Sequence, residues 1–418
     1  MASAIATKLA TRTPAASTTV AAATANAAAA AATEIVSSVK STFQRTFQHH
    51  PNANDDNVVK CRWWTGSYDH VIDPSKFIID CGGKVSSEDL KYNSLLCQEM
   101  NEKYNDIGVI HVQNTGLTNM NDQRTLAKFV MTEEIEYEGG ANPRTRTGDL
   151  GNVYDIGAPL SAHLHYHHEM TYKSHSTESL GFLCKHAVTQ RFGVGWSFVS
   201  DSVQAHDLIM ETELGQKLKD KGLCFIRRMT DATAYDDGKQ PNSKNAVVYN
   251  HWQKSWMTND PIEAEQAARA QGLEVKWIHD PNDVGGKPTM METRYYKSAF
   301  EYIPKLDRNI LITSIADDGE WFDSWPLIKD VPQEQRPMDM TFGIDDEPIS
   351  LQEKQLWTDI YDYFGVPIIW SPGDVAIVCN MRFAHGRPGI DLLPGEQREL
   401  GVMLGPLFER QETKEGKW

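Results

Sequence analysis

Short β-rich runs set among amphipathic helices predict a mainly β domain with flanking helices. Val109-Ile110-His111-Val112 and Gly181-Phe182-Leu183-Cys184 read as apolar strands. A β-rich run extends from Asp374 to Arg387, and Arg398, Leu400, Val402 and Leu404 fall on one face of a further strand. No Gly/Ser or Pro linker divides the chain after His49, so one domain is expected over residues 47–418. With 418 residues, 40% hydrophobic and 23% charged, there is material for a large core.

Taken in order, the first 33 residues lack any Asp or Glu and carry charge only at Lys8 and Arg12. That acid-poor, Ala/Ser/Thr-rich composition predicts a disordered, transit-peptide-like segment over 1–46 and delivery to an organelle, plastid before mitochondrion; without import the protein would be cytoplasmic. Trp63 and Trp64 open the folded part. Ser86 to Asp89 offer N-cap chemistry for a helix running to about Asn105, and a second helix is expected from about Asn121 to Met131. A turn-rich loop from Tyr137 to Arg144 precedes a histidine-rich strand at 163–169, with the Gly181 strand expected beside it. Gly193 to Asp201 is a glycine-marked loop leading into a helix from about Ser202 to Leu218; no Gly-Lys-Ser/Thr follows, so it is not a phosphate loop. Asp260 as cap, Pro261 at the first helical position, Glu263 as the capping-box partner and Gly272 as the stop predict a helical insertion around 255–275. Alternating short strands are expected from about Val275 to Trp325.

Several function classes fall away on composition. A net charge of -16 with no basic block excludes a nucleic-acid partner. The cysteines Cys61, Cys81, Cys97, Cys184, Cys224 and Cys379 are scattered without a C-x-x-C pair, so no zinc ribbon or dithiol motif is present. No run of about 18 apolar residues exists to span a membrane.

Chemistry concentrates in His163-Leu164-His165-Tyr166-His167-His168-Glu169. In an extended strand His163, His165, His167 and Glu169 share one face. Three imidazoles could hold zinc with a water position open for a lyase or hydrolase. Alternatively, His167 and Glu169 supply two ligands of a 2-His-1-carboxylate iron site, which then demands a distant histidine. His385 at the far end of the Asp374–Arg387 run meets that demand. Arg398 is an apolar strand's single guanidinium, a costly placement unless an anion pairs with it.

Together these residues resemble the Fe(II)- and 2-oxoglutarate-dependent oxygenases of the taurine dioxygenase/clavaminate synthase-like superfamily. His167-x-Glu169, His385 within N-x-R-x-x-H-G-R, and Arg398 carry the resemblance, which extends to the Y-x-G-G loop before Arg144 and to the 193–201 loop. It implies a double-stranded β-helix, or jelly roll, with Fe(II) on His167, Glu169 and His385 and 2-oxoglutarate on Arg398 and Ser197. Ser197 stands where the family commonly has threonine, and Trp196 where it has an acid. The implied activity couples O2 and 2-oxoglutarate to oxidation of an unactivated C–H bond in a small anionic, amino-acid-derived substrate. The transit-like segment on this architecture is also similar to the kainoid synthases, which cyclise N-prenylated glutamate. That resemblance implies carboxylate contacts from Arg144, Arg191 and Arg382 and an apolar wall including Trp196 and Phe198; plain hydroxylation by the same architecture is the alternative.

Overall fold

The computed structural model describes residues 73–137, 146–147, 150–156, 160–191, 193–232, 251–279, 288–312, 314, 336–343 and 345–410. Segment 1–46, Trp63, Trp64 and Arg144 lie outside them, as does much of the run expected to continue to Trp325.

β1 (Ile78–Asp80) and β2 (Val109–Gln113) flank α1 (Leu95–Ile107). The helix starts later than Ser86 because Ser86 and Asp89 satisfy each other in a local turn. Ser94 caps α1 instead, accepting from the Cys97 amide, and Gly108 ends it at φ 89, a left-handed conformation that favours glycine. α2 (Met120–Ala127), capped by Asn119, is shorter than expected. Then come β3 (Val153–Asp155), β4 (Leu164–His167), β5 (His175–Thr177), β6 (Ser179–His186) and β7 (Ser197–Asp201).

The single helix predicted from Ser202 to Leu218 is two, α3 (Ser202–Met210) and α4 (Glu213–Lys221). Thr212 makes the break: its hydroxyl donates to the Ile209 carbonyl and accepts from the Gly215 amide. A Cβ at Gly215 would lie 2.1 Å from the Ile209 oxygen, so the tight joint needs glycine.

β8 (Leu223–Thr230), α5 (Trp252–Ser255), α6 (Pro261–Ala270), β9 (Glu274–His279), β10 (Pro288–Lys297), β11 (Phe300–Ile303), β12 (Arg308–Leu311) and β13 (Met338–Phe342) follow. Asp260 caps α6 as predicted, but Glu263 accepts from the Thr258 hydroxyl rather than closing a capping box. The reciprocal capping box belongs to Ser350 and Glu353 at the start of α7 (Leu351–Tyr363). The chain ends its described part with β14 (Gly365–Ile368), β15 (Val375–Cys379), β16 (Phe383–Arg387), β17 (Glu399–Leu404) and β18 (Leu407–Glu409).

Two sheets face each other. One has the order β1-β2-β15-β6-β17-β3, the other β14-β7-β16-β4, with all pairs antiparallel except β1–β2. The steps β3 to β4, β6 to β7, and β14 through β15 and β16 to β17 each cross from one sheet to the other. This is the double-stranded β-helix, a jelly roll with helices outside. β6 therefore lies opposite the histidine-bearing β4 rather than beside it. α3, α4 and α7 cover the outer face of the smaller sheet through a core that includes Trp196, Phe198, Leu218, Trp357 and Tyr361. A separate antiparallel sheet, β13-β8-β10-β9, is contributed by the chain between β7 and β14.

Candidate metal and cosubstrate site

β4 and β16 pair so that His167 and His385 are cross-strand partners, with ring centroids 4.2 Å apart. Direct register thus joins two imidazoles separated by more than two hundred residues of sequence. Glu169 arrives differently. β4 ends at His167, and Met170 takes a left-handed φ of 60, so the carboxylate comes from a turn rather than from strand alternation. Asn380 fixes that turn: its Oδ1 accepts from the Glu169 amide at 2.8 Å, while its Nδ2 donates to the Glu169 carbonyl at 3.2 Å and the Thr177 carbonyl at 3.0 Å. The Ser176 hydroxyl adds a 2.7 Å bond to the same Glu169 carbonyl.

One ligand atom from each of His167, Glu169 and His385 converges within 4.8 Å, the one such group of three among the described residues. The donor chemistry fits Fe(II). His167 Nδ1 lies 2.8 Å from the His165 carbonyl, which can only accept, so Nδ1 carries the proton and Nε2 keeps its lone pair for a metal. His163 and His165 stand apart from the group. Nδ1 of His163 accepts from the Gly389 amide, and its ring packs edge-on against His165 at 5.6 Å. The three-imidazole zinc arrangement is therefore not what this strand builds.

Around the triad, both sheets contribute to a cavity. Phe182, Ala376, Val378 and Val402 line it from the larger sheet; Leu164, Val199, Ile368 and Gly386 line it from the smaller. Ser197, Trp370, Arg387 and Arg398 supply most of its polar lining apart from the triad.

Arg398 Nε donates to the Gly195 carbonyl at 2.8 Å and Nη2 to the Ser197 hydroxyl at 3.1 Å. Among the described residues no carboxylate pairs with it. Burial pushes its pKa down to about 10, a measure of how poorly the charge is compensated within the chain. Arg387 lies near enough that burial and the Arg398 charge together lower it to about 9. Its guanidinium donates to the carbonyls of Leu160, Ala162 and Pro388, bracing the segment that leads into β4.

Three predicted substrate contacts do not reach this cavity. Arg191 is held by Glu396 through Nε at 2.7 Å and by the Asp391 carbonyl at 2.8 Å. Arg382 pairs with Asp201 at 3.0 Å, on the β16 approach to α3. Trp196 is buried in the core outside the small sheet. Phe198 borders the cavity yet belongs to that same core. Sequence reasoning also missed Phe182, Arg387, Asn380 and Trp370 as site residues. Asn380 and Arg387 stand inside the N-x-R-x-x-H-G-R run that located His385, while Trp370 is marked only by the Pro372-Gly373 turn after it.

No protein-family model matches the chain. A clavaminate synthase-like protein of Arabidopsis thaliana is 25% identical over 261 residues, 62% of this chain and 71% of that protein. Among solved structures, a taurine dioxygenase from Burkholderia xenovorans is similar at TM-score 0.40 and 13% identity, covering 81% of this chain and 92% of that one. AAD-2 in complex with Mn(II) and N-oxalylglycine is similar at TM-score 0.39 and 13% identity, covering 81% and 97%. What the two sheets assemble in their common interior is a two-histidine, one-carboxylate group that can hold a divalent metal such as Fe(II), with a buried guanidinium in the same cavity that can take a carboxylate.

Proposed function

We propose that the protein is an Fe(II)- and 2-oxoglutarate-dependent dioxygenase acting on an unactivated C–H bond of a small anionic, amino-acid-derived substrate, and that its reaction is the oxidative cyclisation of N-prenylated L-glutamate to a kainoid. The observation that carries the oxygenase reading is Arg398, a buried cation without a protein acid among the described residues, in the same cavity as His167, Glu169 and His385. Bound Fe(II) with 2-oxoglutarate supplies oxidative decarboxylation to succinate and CO2, coupled to hydrogen abstraction.

His167, Glu169 and His385 would hold the ion on one side, leaving positions open to the cavity. Arg398 and Ser197 would bind the far carboxylate of 2-oxoglutarate, a charge-assisted contact suited to the planar guanidinium. Apolar walls from Ile156, Leu164, Phe182, Ile368 and Val402 keep water from the reacting carbon and suit a prenyl chain. Arg191 and Arg382 are committed to Glu396 and Asp201, and Arg144, the third arginine expected to grip substrate carboxylates, lies outside the described residues. In the cyclisation the substrate loses two hydrogens and gains one C–C bond, while the dioxygen atoms end in succinate and water. Import into an organelle, plastid before mitochondrion, belongs to the same proposal and is supported by the acid-free composition of residues 1–33.

The test is anaerobic loading with Fe(II), then O2, 2-oxoglutarate and N-prenylated glutamate, with products followed by mass spectrometry and NMR under 18O2. The expected product has a new ring, lacks two hydrogens and carries no 18O, with one succinate per ring. A product with one 18O and no ring overturns cyclisation in favour of hydroxylation. Absence of succinate with every amino-acid-derived candidate overturns the oxygenase reading itself.

A further inference from the structure

We infer that Trp370 is a positioning residue for the cosubstrate anchor, fixing the Ser197 hydroxyl as a donor that can serve only an acceptor such as a carboxylate. This rests on the proposed binding of 2-oxoglutarate by Arg398 and Ser197. The Trp370 indole Nε1–H donates to Ser197 Oγ at 3.0 Å, and Arg398 Nη2–H donates to the same oxygen at 3.1 Å. A hydroxyl has two acceptor lone pairs and one proton, whereas indole and guanidinium nitrogens only donate. Both lone pairs are therefore filled from within the chain, and the Ser197 proton is what remains for a ligand. Ser197, Trp370 and Arg398 all line the cavity, so this proton and the guanidinium offer donors to one anionic group.

The indole is itself held. Asp374 Oδ2 accepts from the Ser371 amide at 2.9 Å and lies 3.2 Å from His111 Nε2, and the His111 ring meets the Trp370 ring edge-on at 5.4 Å. Gly373, at φ 96, lets the turn close to where a Cβ would be 2.7 Å from the Leu117 carbonyl. Trp370 thus sits on a braced turn between β14 and β15, and its N–H has a fixed direction. Without that donor the Ser197 hydroxyl could rotate and lose its alignment toward the ligand.

Binding without turnover tests this. The full-length protein loaded with Mn(II) is titrated calorimetrically with 2-oxoglutarate and with N-oxalylglycine, comparing the unmodified chain with Trp370→Phe, Ser197→Ala and the double variant. Trp370→Phe is expected to weaken both ligands about three- to tenfold, the worth of one neutral hydrogen bond. Because Trp370 acts through Ser197, the double variant should bind as Ser197→Ala does, within about twofold. Losses that multiply in the double variant, or an unchanged affinity in Trp370→Phe, overturn the inference. If Trp370→Phe fails to fold, the Trp370 indole N–H resonance decides: an upfield move in Ser197→Ala supports the bond, and an unmoved resonance overturns it. Failure of the unmodified protein to bind either ligand would instead strike the oxygenase reading, and the inference with it.

Discussion

Arg398 in the jelly-roll interior and Arg228 in the separate four-stranded sheet are both buried, with 8% and 4% of their surface exposed, yet the chain treats their charges in opposite ways. Arg228 meets Glu292 at 2.8 Å and Asp339 at 3.8 Å and donates to the Arg336 carbonyl. Burial alone would push the Glu292 carboxyl up, but hydrogen bonds and charge from Arg294 and Arg228 hold it below its ordinary range. Among the described residues Arg398 meets a carbonyl and a hydroxyl and no acid. A buried cation neutralised by its own chain is part of the structure. A buried cation left for something else to neutralise is a place for a ligand, because isolating it otherwise costs several kcal/mol, on the order of the desolvation of one ion. The difference separates the scaffold from the site more sharply than the degree of burial does.

The largest effect should come from the metal ligands. Ala at His167, Glu169 or His385 is expected to abolish substrate-coupled succinate formation, a loss beyond the roughly 10- to 100-fold typical of a group that only orients a ligand. Circular dichroism should show the fold kept, since Asn380 holds the Glu169 turn through backbone atoms. His163→Ala and His165→Ala should be milder; equal abolition there would restore the zinc arrangement.

Next comes a direct contrast. Arg228→Ala leaves Glu292 and Asp339 buried with a lost partner and should destabilise by about 3–5 kcal/mol in chemical denaturation. Arg398→Ala leaves no acid behind among the described residues, so stability should change far less, while 2-oxoglutarate affinity falls about ten- to a hundredfold with the charge-assisted bond. Equal destabilisation of the two variants would erase the distinction.

Sequence carried the Arg398 half of this contrast and little of the Arg228 half. His167, His385 and Arg398 were legible because metal ligands and a lone guanidinium on an apolar strand are chemically conspicuous at their own positions. The fates of Arg191 and Arg382 were not, because their acids, Glu396 and Asp201, lie 205 and 181 residues away in the chain. Trp196 packs in the core outside the small sheet instead of lining the cavity, because it stands just before β7 begins at Ser197. Glu169 joins His167 and His385 by a route that strand alternation does not describe, since β4 stops two residues earlier. The jelly roll itself came through the resemblance rather than periodicity. The capping box at Ser350 and Glu353 was readable and announces α7, whereas the pairing of β8 with β10 and β13 depends on contacts that no local pattern carries.

A smaller effect concerns pH. The Glu292 pKa is lowered on folding, so its contribution is fully present above its ordinary value near 4.5 and is lost as pH falls through the lower folded value. The stability gap between the unmodified protein and Glu292→Gln should therefore narrow as pH is taken from about 5 to about 3, as denaturant midpoints would show. The gap between the unmodified protein and Arg398→Ala should stay level over the same range, because no described carboxylate faces Arg398. A gap that closes in both would mean that an acid compensates Arg398 after all.

The smallest expected effect is that of removing residues 1–46. The segment holds few large apolar side chains, with Ile5, Leu9, Ile35 and Phe43 spread through Ala, Ser and Thr, so it has little surface with which to dock on a core. Every residue invoked for the metal, for the Arg398 anchor and for the Arg228 cluster lies between Gln113 and Arg410 or is braced from within that span, apart from His111 behind Trp370. A chain beginning at Phe47 should therefore keep its melting temperature, its 2-oxoglutarate affinity and its coupled succinate formation. The measurement is a thermal melt alongside calorimetric titration of the Mn(II)-loaded truncated protein. A lowered melting temperature with unchanged affinity would place the segment against the scaffold that Arg228 represents. Lowered affinity with an unchanged melt would place it at the cavity, and either outcome would remove the transit-peptide reading of those residues.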